Sequence, residues 1–314
     1  MISNRNKVYL IKLFFCDIMK RTAFKVAYIG SGFSGFQRQP DVRTVEGEII
    51  DTLTEIGYID NLKDARFRIA GRTDAGVNSL GNVISFQTEK EIHINKINNY
   101  LPDDVQFLGT APVRYGFKPR YAKQRWYRYI LFRNNLDINK LNEVARVFEG
   151  KHNFTNFTKR FQKTTVRTID KINISSPNIK PDERMLRNCK TNNFNSNQDF
   201  SNLNETYTPI FVDIYGESFL WNMIRKMMRV FTEYAVGNMT MDQIESYLNP
   251  KEDEPRAHIK VLEAENLILM DTIYDKIKFT YDDYAVEKFK RYLASELVDY
   301  QRKYSIVECM LNSF

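Results

Sequence analysis

One order of periodicities, met twice along the chain, limits the folds open to it. From Phe24 the sequence reads as a strand (Phe24 to Ile29), a loop, and a helix with Val45, Ile49, Leu53 and Ile56 on one face. Strands follow at Arg66 to Ala70 and Asn82 to Thr88, then a short helix near Ile94 to Tyr100 and a strand at Val105 to Thr110. The order is β-α-β-β-α-β. Thr44 suits the N-cap of the first helix, and Glu46 and Glu48 put negative charge in its first turn, where the helix dipole favours it. The second half reads the same way: a strand at Arg125 to Phe132, a helix at Ile138 to Glu149, strands near Val166 to Ile174 and Thr208 to Tyr215, a helix from Phe219, and a closing strand at Leu267 to Tyr274. The expectation is an α+β fold of two tandem pseudo-symmetric β-α-β-β-α-β halves, ferredoxin- or RRM-like, sharing a mostly antiparallel sheet with a central cleft. The halves are placed at residues 22–115 and 116–280, between an N-terminal extension (1–21) and a helical tail (281–314). Seven asparagines between Asn188 and Asn204 mark a polar insertion near 180–206.

With 314 residues and 43% hydrophobic content, two such halves can each bury a core. The apolar run from Val8 to Phe15 is interrupted by Lys12 and lacks a small-residue cleavage site, and it is far short of the roughly 20 residues of a membrane span. Neither a signal peptide nor a membrane anchor is expected, and Met19 offers a second possible start. Cys16, Cys189 and Cys309 are odd in number and far apart, which points to a reducing, cytoplasmic setting. His93, His152 and His258 have no second ligand at metal spacing, so no metal is expected.

Chemistry concentrates in Gly71-Arg-Thr-Asp-Ala-Gly76, which sets one carboxylate beside one guanidinium in a glycine-bounded turn. If the segment is extended, Arg72 and Asp74 share a face. A guanidinium nearby favours a carboxylate over its acid, which suits a nucleophile or base; an ordinary surface pair is the competing reading. Gly30-Ser-Gly-Phe-Ser-Gly35 matches the dinucleotide fingerprint, but Pro40 would break the helix that fingerprint needs, and the amphipathic helix starts only at Val45. The glycines then read as a loop carrying Phe36, Gln37, Arg38 and Gln39 toward a phosphate backbone.

Between Arg114 and Arg133 there are seven basic side chains (Arg114, Lys118, Arg120, Lys123, Arg125, Arg128, Arg133), seven aromatics and no acid. Cations for phosphates and rings for unstacked bases make this the composition of a nucleic-acid surface, in line with the net charge of +7. The cleft is therefore expected to bind nucleic acid, and RNA by the resemblance given below. Alternation puts Arg125, Tyr127 and Tyr129 on one face of the strand and Trp126, Arg128, Ile130 and Phe132 on the other, with the Trp126 face expected to be core. On the helix from Phe219 to Phe231, Lys226 and Arg229 read as solvated, while Arg225 borders the apolar arc and can reach a buried carboxylate.

Taken together, the chain resembles the tRNA pseudouridine synthase A family. The matching stretches are Tyr28 to Gln39, Gly71-Arg-Thr-Asp-Ala-Gly-Val77, Leu101-Pro-Asp-Asp104, Phe117-Lys-Pro-Arg120, Arg125-Trp-Tyr-Arg-Tyr129 and Ser218-Phe-Leu-Trp-Asn-Met-Ile-Arg225. They run in family order over roughly residues 22 to 275 and look closer to archaeal or eukaryotic-type members than to bacterial ones. The resemblance implies Asp74 as nucleophile, Arg72 and Arg225 as its charged neighbours, Tyr127 as the ring stacked on the target uracil, and Leu220 in an apolar pocket. It implies conversion of uridine to pseudouridine at anticodon stem-loop positions 38 to 40 of tRNA, by a homodimer without a cofactor. Asn78 and Lys118 stand where histidines are common and Asn266 where a glycine is usual, but no catalytic group is lost. A non-catalytic RNA-binding protein would not need both Asp74 and Arg72. A metal-dependent nuclease would need a carboxylate cluster, and none stands at useful spacing.

Overall fold

A computed structural model describes residues 20–132, 136–159, 164–177, 209–251, 255–311 and 313. The N-terminal apolar run, Arg133 and the asparagine-rich insertion lie outside the described residues. In chain order the first elements are β1 (Lys20–Tyr28), α1 (Val45–Glu55), β2 (Arg68–Ile69), β3 (Asn78–Thr88), α2 (Ile94–Tyr100) and β4 (Val105–Pro112). Next come β5 (Gln124–Leu131), α3 (Ile138–Phe148), β6 (Gly150–Asn153), β7 (Val166–Ser175), β8 (Ile210–Gly216), α4 (Met223–Ala235) and α5 (Met241–Leu248). The last are β9 (Leu267–Ile273), β10 (Thr280–Tyr281) and α6 (Asp283–Leu311). The fold is mixed α+β with mostly antiparallel pairing. The chain divides into two compact units, one running to Lys123 and resuming at Leu269, the other from Gln124 to Ile268.

In the first unit the strand order is β10-β4-β1-β3-β9, with β2 paired to β3 off that path. Alternation along β1 gives the unit its two faces. Phe24, Val26 and Tyr28 join Phe36, Ile49, Leu53, Ile97 and Phe107 in the main core. Phe24 stacks on Phe86 at 4.8 Å between ring centroids, and each such buried ring contributes about 1.5–3 kcal/mol. On the opposite face Ala23 packs with Ala70 and Val83. Lys25 is buried there against Asp271 and the Thr272 carbonyl. Burial lowers the Lys25 pKa, and Asp271 only partly offsets this. Thr44 caps α1 as expected, accepting from Gly47 N at 3.2 Å. Strand β3 begins four residues earlier than its sequence pattern suggests, at Asn78, and only Arg68 and Ile69 of the Arg66 to Ala70 segment pair with it.

In the second unit the strand order is β5-β8-β7-β6, all antiparallel. Here the structure corrects three expectations. The core face of β5 is that of Arg125, Tyr127, Tyr129 and Leu131, not that of Trp126. Asp213 stands opposite Arg128 on β8 and draws Arg128 and the Trp126 indole N–H into polar contacts on the other face. Helix α4 begins at Met223 rather than Phe219, because Asn222 before it adopts a left-handed backbone (φ 62). Lys226 is buried, not solvated, its ammonium held by the Asn156 carbonyl at 2.9 Å. The second run of elements also departs from strict repetition by adding β6 and α5. Helix α5 starts at a capping box made by Thr240 and Gln243, a signal present in the sequence and missed.

Candidate active site

The turn that carries Asp74 follows β2 and leads into β3 of the first unit. Asp74 is half-buried, Thr73, Gly76 and Val77 are buried, and Arg72 is exposed. The turn is closed by Val77 N donating to Asp74 O at 3.2 Å, with Gly76 at φ +83, a backbone that favours glycine. Its surroundings hold it from several sides. The Tyr28 hydroxyl lies 2.8 Å from Thr73 Oγ1, and Asn82 Nδ2 donates to both Tyr28 Oη and Gly71 O at 3.2 Å. Phe36 N donates to Thr73 O at 3.1 Å, and Gly30 N to Asn78 Oδ1 at 2.9 Å. Each bond is worth about 0.5–1.5 kcal/mol net, and together they fix the carboxylate's backbone before any substrate arrives.

The glycine loop after β1 fits against this turn. A Cβ on Gly30 would stand 2.3 Å from Val77 O, and one on Gly35 would stand 3.2 Å from Thr73 O. Close backbone approach accounts for Gly30 and Gly35. The loop is anchored in turn by Arg43, which donates to both carboxylate oxygens of Asp104 at 2.7 and 2.9 Å and to Glu48 at 2.6 Å, and covers the Phe33 ring at 4.2 Å. These bonds raise the Arg43 pKa above its usual value. Asp104 also accepts from Ile29 N through its carbonyl. Sequence reasoning missed Arg43 and Asn82 as parts of the site, and Tyr28 was visible only as the start of a matching stretch. Asp104 was visible only as the end of a matching stretch.

The expected pairing of Arg72 with Asp74 is not made. Residues 71–74 join no strand ladder. Among the described residues no ion pair joins them. The scaffold above fixes the main chain that carries Asp74.

The basic stretch divides in its behaviour. Lys118 and Arg120 are exposed and flank the Tyr121 ring at 5.9 and 5.2 Å, and that ring is 65% exposed. Lys123 makes an exposed pair with Asp275 at 2.7 Å, and Arg38 is exposed in the loop before α1. Arg125 and Arg128, grouped with them on composition, are engaged within the second unit. Arg125 is buried and donates to the Glu217 carbonyl, and Arg128 makes two 2.8 Å bonds to Asp213. A bidentate pair of this kind is a strong, directional contact.

Tyr127 is 9% exposed, with its ring edge-on to Phe219 at 5.3 Å. Phe219 lies against Gly216, where a Cβ would come within 3.1 Å of the ring. Leu220 is buried, and its carbonyl accepts from Met223 N as α4 begins. Arg225 Nε donates to Leu262 O at 2.7 Å, and its Nη1 to Asn222 Oδ1 at 3.2 Å. The left-handed Asn222 thus both delays the helix and steadies the arginine. Among the described residues no group of three or more His, Cys, Asp or Glu could hold a metal, and no helix is long and apolar enough to cross a membrane.

A profile of the tRNA pseudouridine synthase family matches residues 144–275. The relative called tRNA pseudouridine synthase A in Methanobrevibacter smithii is 62% identical over 295 residues, 94% of this chain and 97% of the relative. Those of the same name in Methanothermobacter thermautotrophicus and Thermococcus sibiricus are 41% and 38% identical, over 90% and 93% of this chain and 92% and 99% of theirs. Among solved structures, an archaeal box H/ACA sRNP Nop10-Cbf5 complex matches 72% of this chain and 45% of its own at 12% identity and a TM-score of 0.30, too slight a likeness to carry any argument. On the strength of the sequence relatives, spanning nearly the whole of both chains, this protein belongs to the tRNA pseudouridine synthase A family.

Proposed function

We propose that this chain isomerises uridine to pseudouridine in the anticodon stem-loop of tRNA, at positions 38 to 40, with Asp74 as the nucleophile. The observation that carries this reading is the fixed turn around Asp74, which holds one half-buried carboxylate on a backbone pinned by Tyr28, Phe36 and Asn82. The reaction breaks the C1′–N1 bond, turns the uracil and rejoins it through C5. N1 ends protonated and C5 sheds its proton, so no atom is gained or lost and no redox partner is needed. An anionic Asp74 attacks C6 of the base or C1′ of the ribose, and both routes end in the same product. The C5 proton passes to a base, for which the Tyr127 hydroxyl and Asp74 are the two candidates.

A stacked uridine is out of reach, so the base is flipped at a cost of a few kcal/mol. Stacking on Tyr127 offsets about 1–3 kcal/mol of that. Leu220 supplies an apolar wall, and Arg72 and Arg225 are charged neighbours of the reacting groups. Arg38, Lys118, Arg120 and Lys123, all exposed, contact the RNA backbone, while Arg125 and Arg128 shape the surface beside it. The strand order β4-β1-β3-β2 in the first unit and β5-β8-β7 in the second supports a tandem pair of ferredoxin-like halves, which the sequence pattern places at residues 22–115 and 116–280. The family resemblance further implies a cytoplasmic homodimer without metal or cofactor. For the test, Asp74→Asn is expected to bind tRNA as the parent does and to form no pseudouridine, read by pseudouridine-specific chemistry on a transcript. Product at the parent rate would remove Asp74 from its role.

A further inference from the structure

On the first unit, away from the Asp74 turn, three arginines gather with no ion-paired acid among the described residues. Arg21, at the start of β1, is 6% exposed, and its Nε and Nη1 are buried without any hydrogen-bond partner. Only Nη2 is used, donating to Arg66 O at 3.0 Å and Ser85 Oγ at 2.8 Å. Buried polar groups are almost always paired, so two orphaned donors on one guanidinium require a reason. The neighbours add to the deficit. Arg66 and Arg68 are exposed and close enough for their charge, after burial itself, to pull the Arg21 pKa down to about 10. Among the described residues no ion pair reaches any of the three.

The geometry around them is specific. Strand pairing sets Arg21 opposite Gln87 on β3, and Arg68 opposite Ser85, so Arg21, Ser85 and Arg68 share one face of adjacent strands. Arg66 adopts a left-handed backbone (φ 46), uncommon outside glycine and worth attention when found near a charged cluster. That turn points its carbonyl at Arg21 and lays its guanidinium over the Tyr115 ring at 3.8 Å. Tyr115 is 45% exposed, so the rim of the cluster presents a cation on an aromatic plate.

We propose that Arg21, Arg66 and Arg68 form a docking site for one phosphodiester of the substrate RNA backbone. Arg66 and Arg68 make the contact at the surface, and Arg21 beneath them keeps the site positive. An anion there neutralises a cluster that the protein leaves uncompensated, and guanidinium forks match phosphate oxygens. The site is separate from the chemistry. Tyr28, which holds the Asp74 turn, is seven residues along β1 from Arg21, about 23 Å at ~3.3 Å per residue. It therefore grips RNA several nucleotides from the reacting base and serves affinity and register rather than bond making.

This inference rests on an RNA substrate, and the experiment separates the two. The full-length Arg66→Gln/Arg68→Gln variant and the parent are titrated with an unmodified tRNA transcript across a salt series, with kcat at saturating tRNA measured alongside. The double variant is expected to bind about tenfold more weakly near 0.1 M salt. Its slope of log K against log[salt] should be shallower by about 0.7–0.9, as for one lost phosphate contact, with kcat kept. Affinity and slope equal to the parent's in the folded variant would overturn the docking site. Parent turnover, read in the same assay, reports on the isomerase reading independently. If the double variant fails to fold, Arg68→Gln alone decides by the same slope, because among the described residues the Arg68 side chain bonds only the adjacent Phe67 carbonyl.

Discussion

Lys226 lies on α4 with 3% of its surface exposed and its ammonium on the Asn156 carbonyl, while Lys159 and Arg256 add like charge nearby. Burial first, and that repulsion second, lower its pKa below the ordinary lysine value. The folded protein then holds this proton less tightly than the unfolded chain does. Between the lowered folded value and the unfolded value of about 10.4 the unfolded state binds more protons, so stability rises with pH across that window and is lost again as pH falls. Against Lys226→Met, the parent is expected to gain relative stability as pH rises toward the unfolded lysine value of about 10.4, measured by urea unfolding. A difference that stays flat would mean that the ammonium is not desolvated. A helical wheel placed Lys226 outside the apolar arc, because the wheel cannot know that an Asn156 carbonyl waits beside it. Asp74 is the opposite case, since the turn that carries it was legible from six adjacent residues.

The glycine loop and the Asp74 turn act as one element. Gly30 has no room for a Cβ, which would meet the Val77 carbonyl at 2.3 Å, so the backbone of one segment must move if Gly30 changes. Overpacking of this kind costs about 1–3 kcal/mol. Displacement of a reacting group by ~1 Å can cost about 100-fold in rate. Gly30→Ala is expected to lower kcat about 10- to 100-fold while tRNA affinity changes little. Gly116→Ala, with nothing within 4 Å, serves as the silent control. Parent kcat in Gly30→Ala would show that the turn does not depend on that packing. The sequence argued against a dinucleotide site through Pro40, but it could not show what the glycines pack against, because their partners lie some 40 residues on. The start of α4 was misplaced for a related reason. Phe219 to Phe231 is helical in pattern throughout, and only the left-handed Asn222, tied to Arg225, delays it.

For the whole molecule, a net charge of +7 and exposed Arg38, Lys118, Arg120 and Lys123 make tRNA binding an ion-exchange process. Four phosphate contacts, each contributing about 0.7–0.9 to the salt slope, weaken binding about 50- to 150-fold between 50 and 200 mM salt. Fluorescence anisotropy with labelled tRNA measures this directly, and binding indifferent to salt would refute the basic surface. The first unit's order of elements was readable from hydrophobic periods and caps, as Thr44 and Val45 illustrate. The short β6 and β10 carry too few residues to show a period, so they appear only once their partners are in place.

The sequence alone determined most of the longer elements, the glycine-bounded turn that carries the carboxylate, and the family to which the chain belongs, because periodicity, capping and contiguous motifs act over neighbouring residues. Tertiary structure decided what each charge does. Arg128 meets Asp213, Lys226 meets the Asn156 carbonyl, and Arg21 is left with orphaned donors among other arginines. Charge is written in the chain, but burial and partners come from residues tens of positions away, and they set whether a cation is structural, solvated or waiting for an anion.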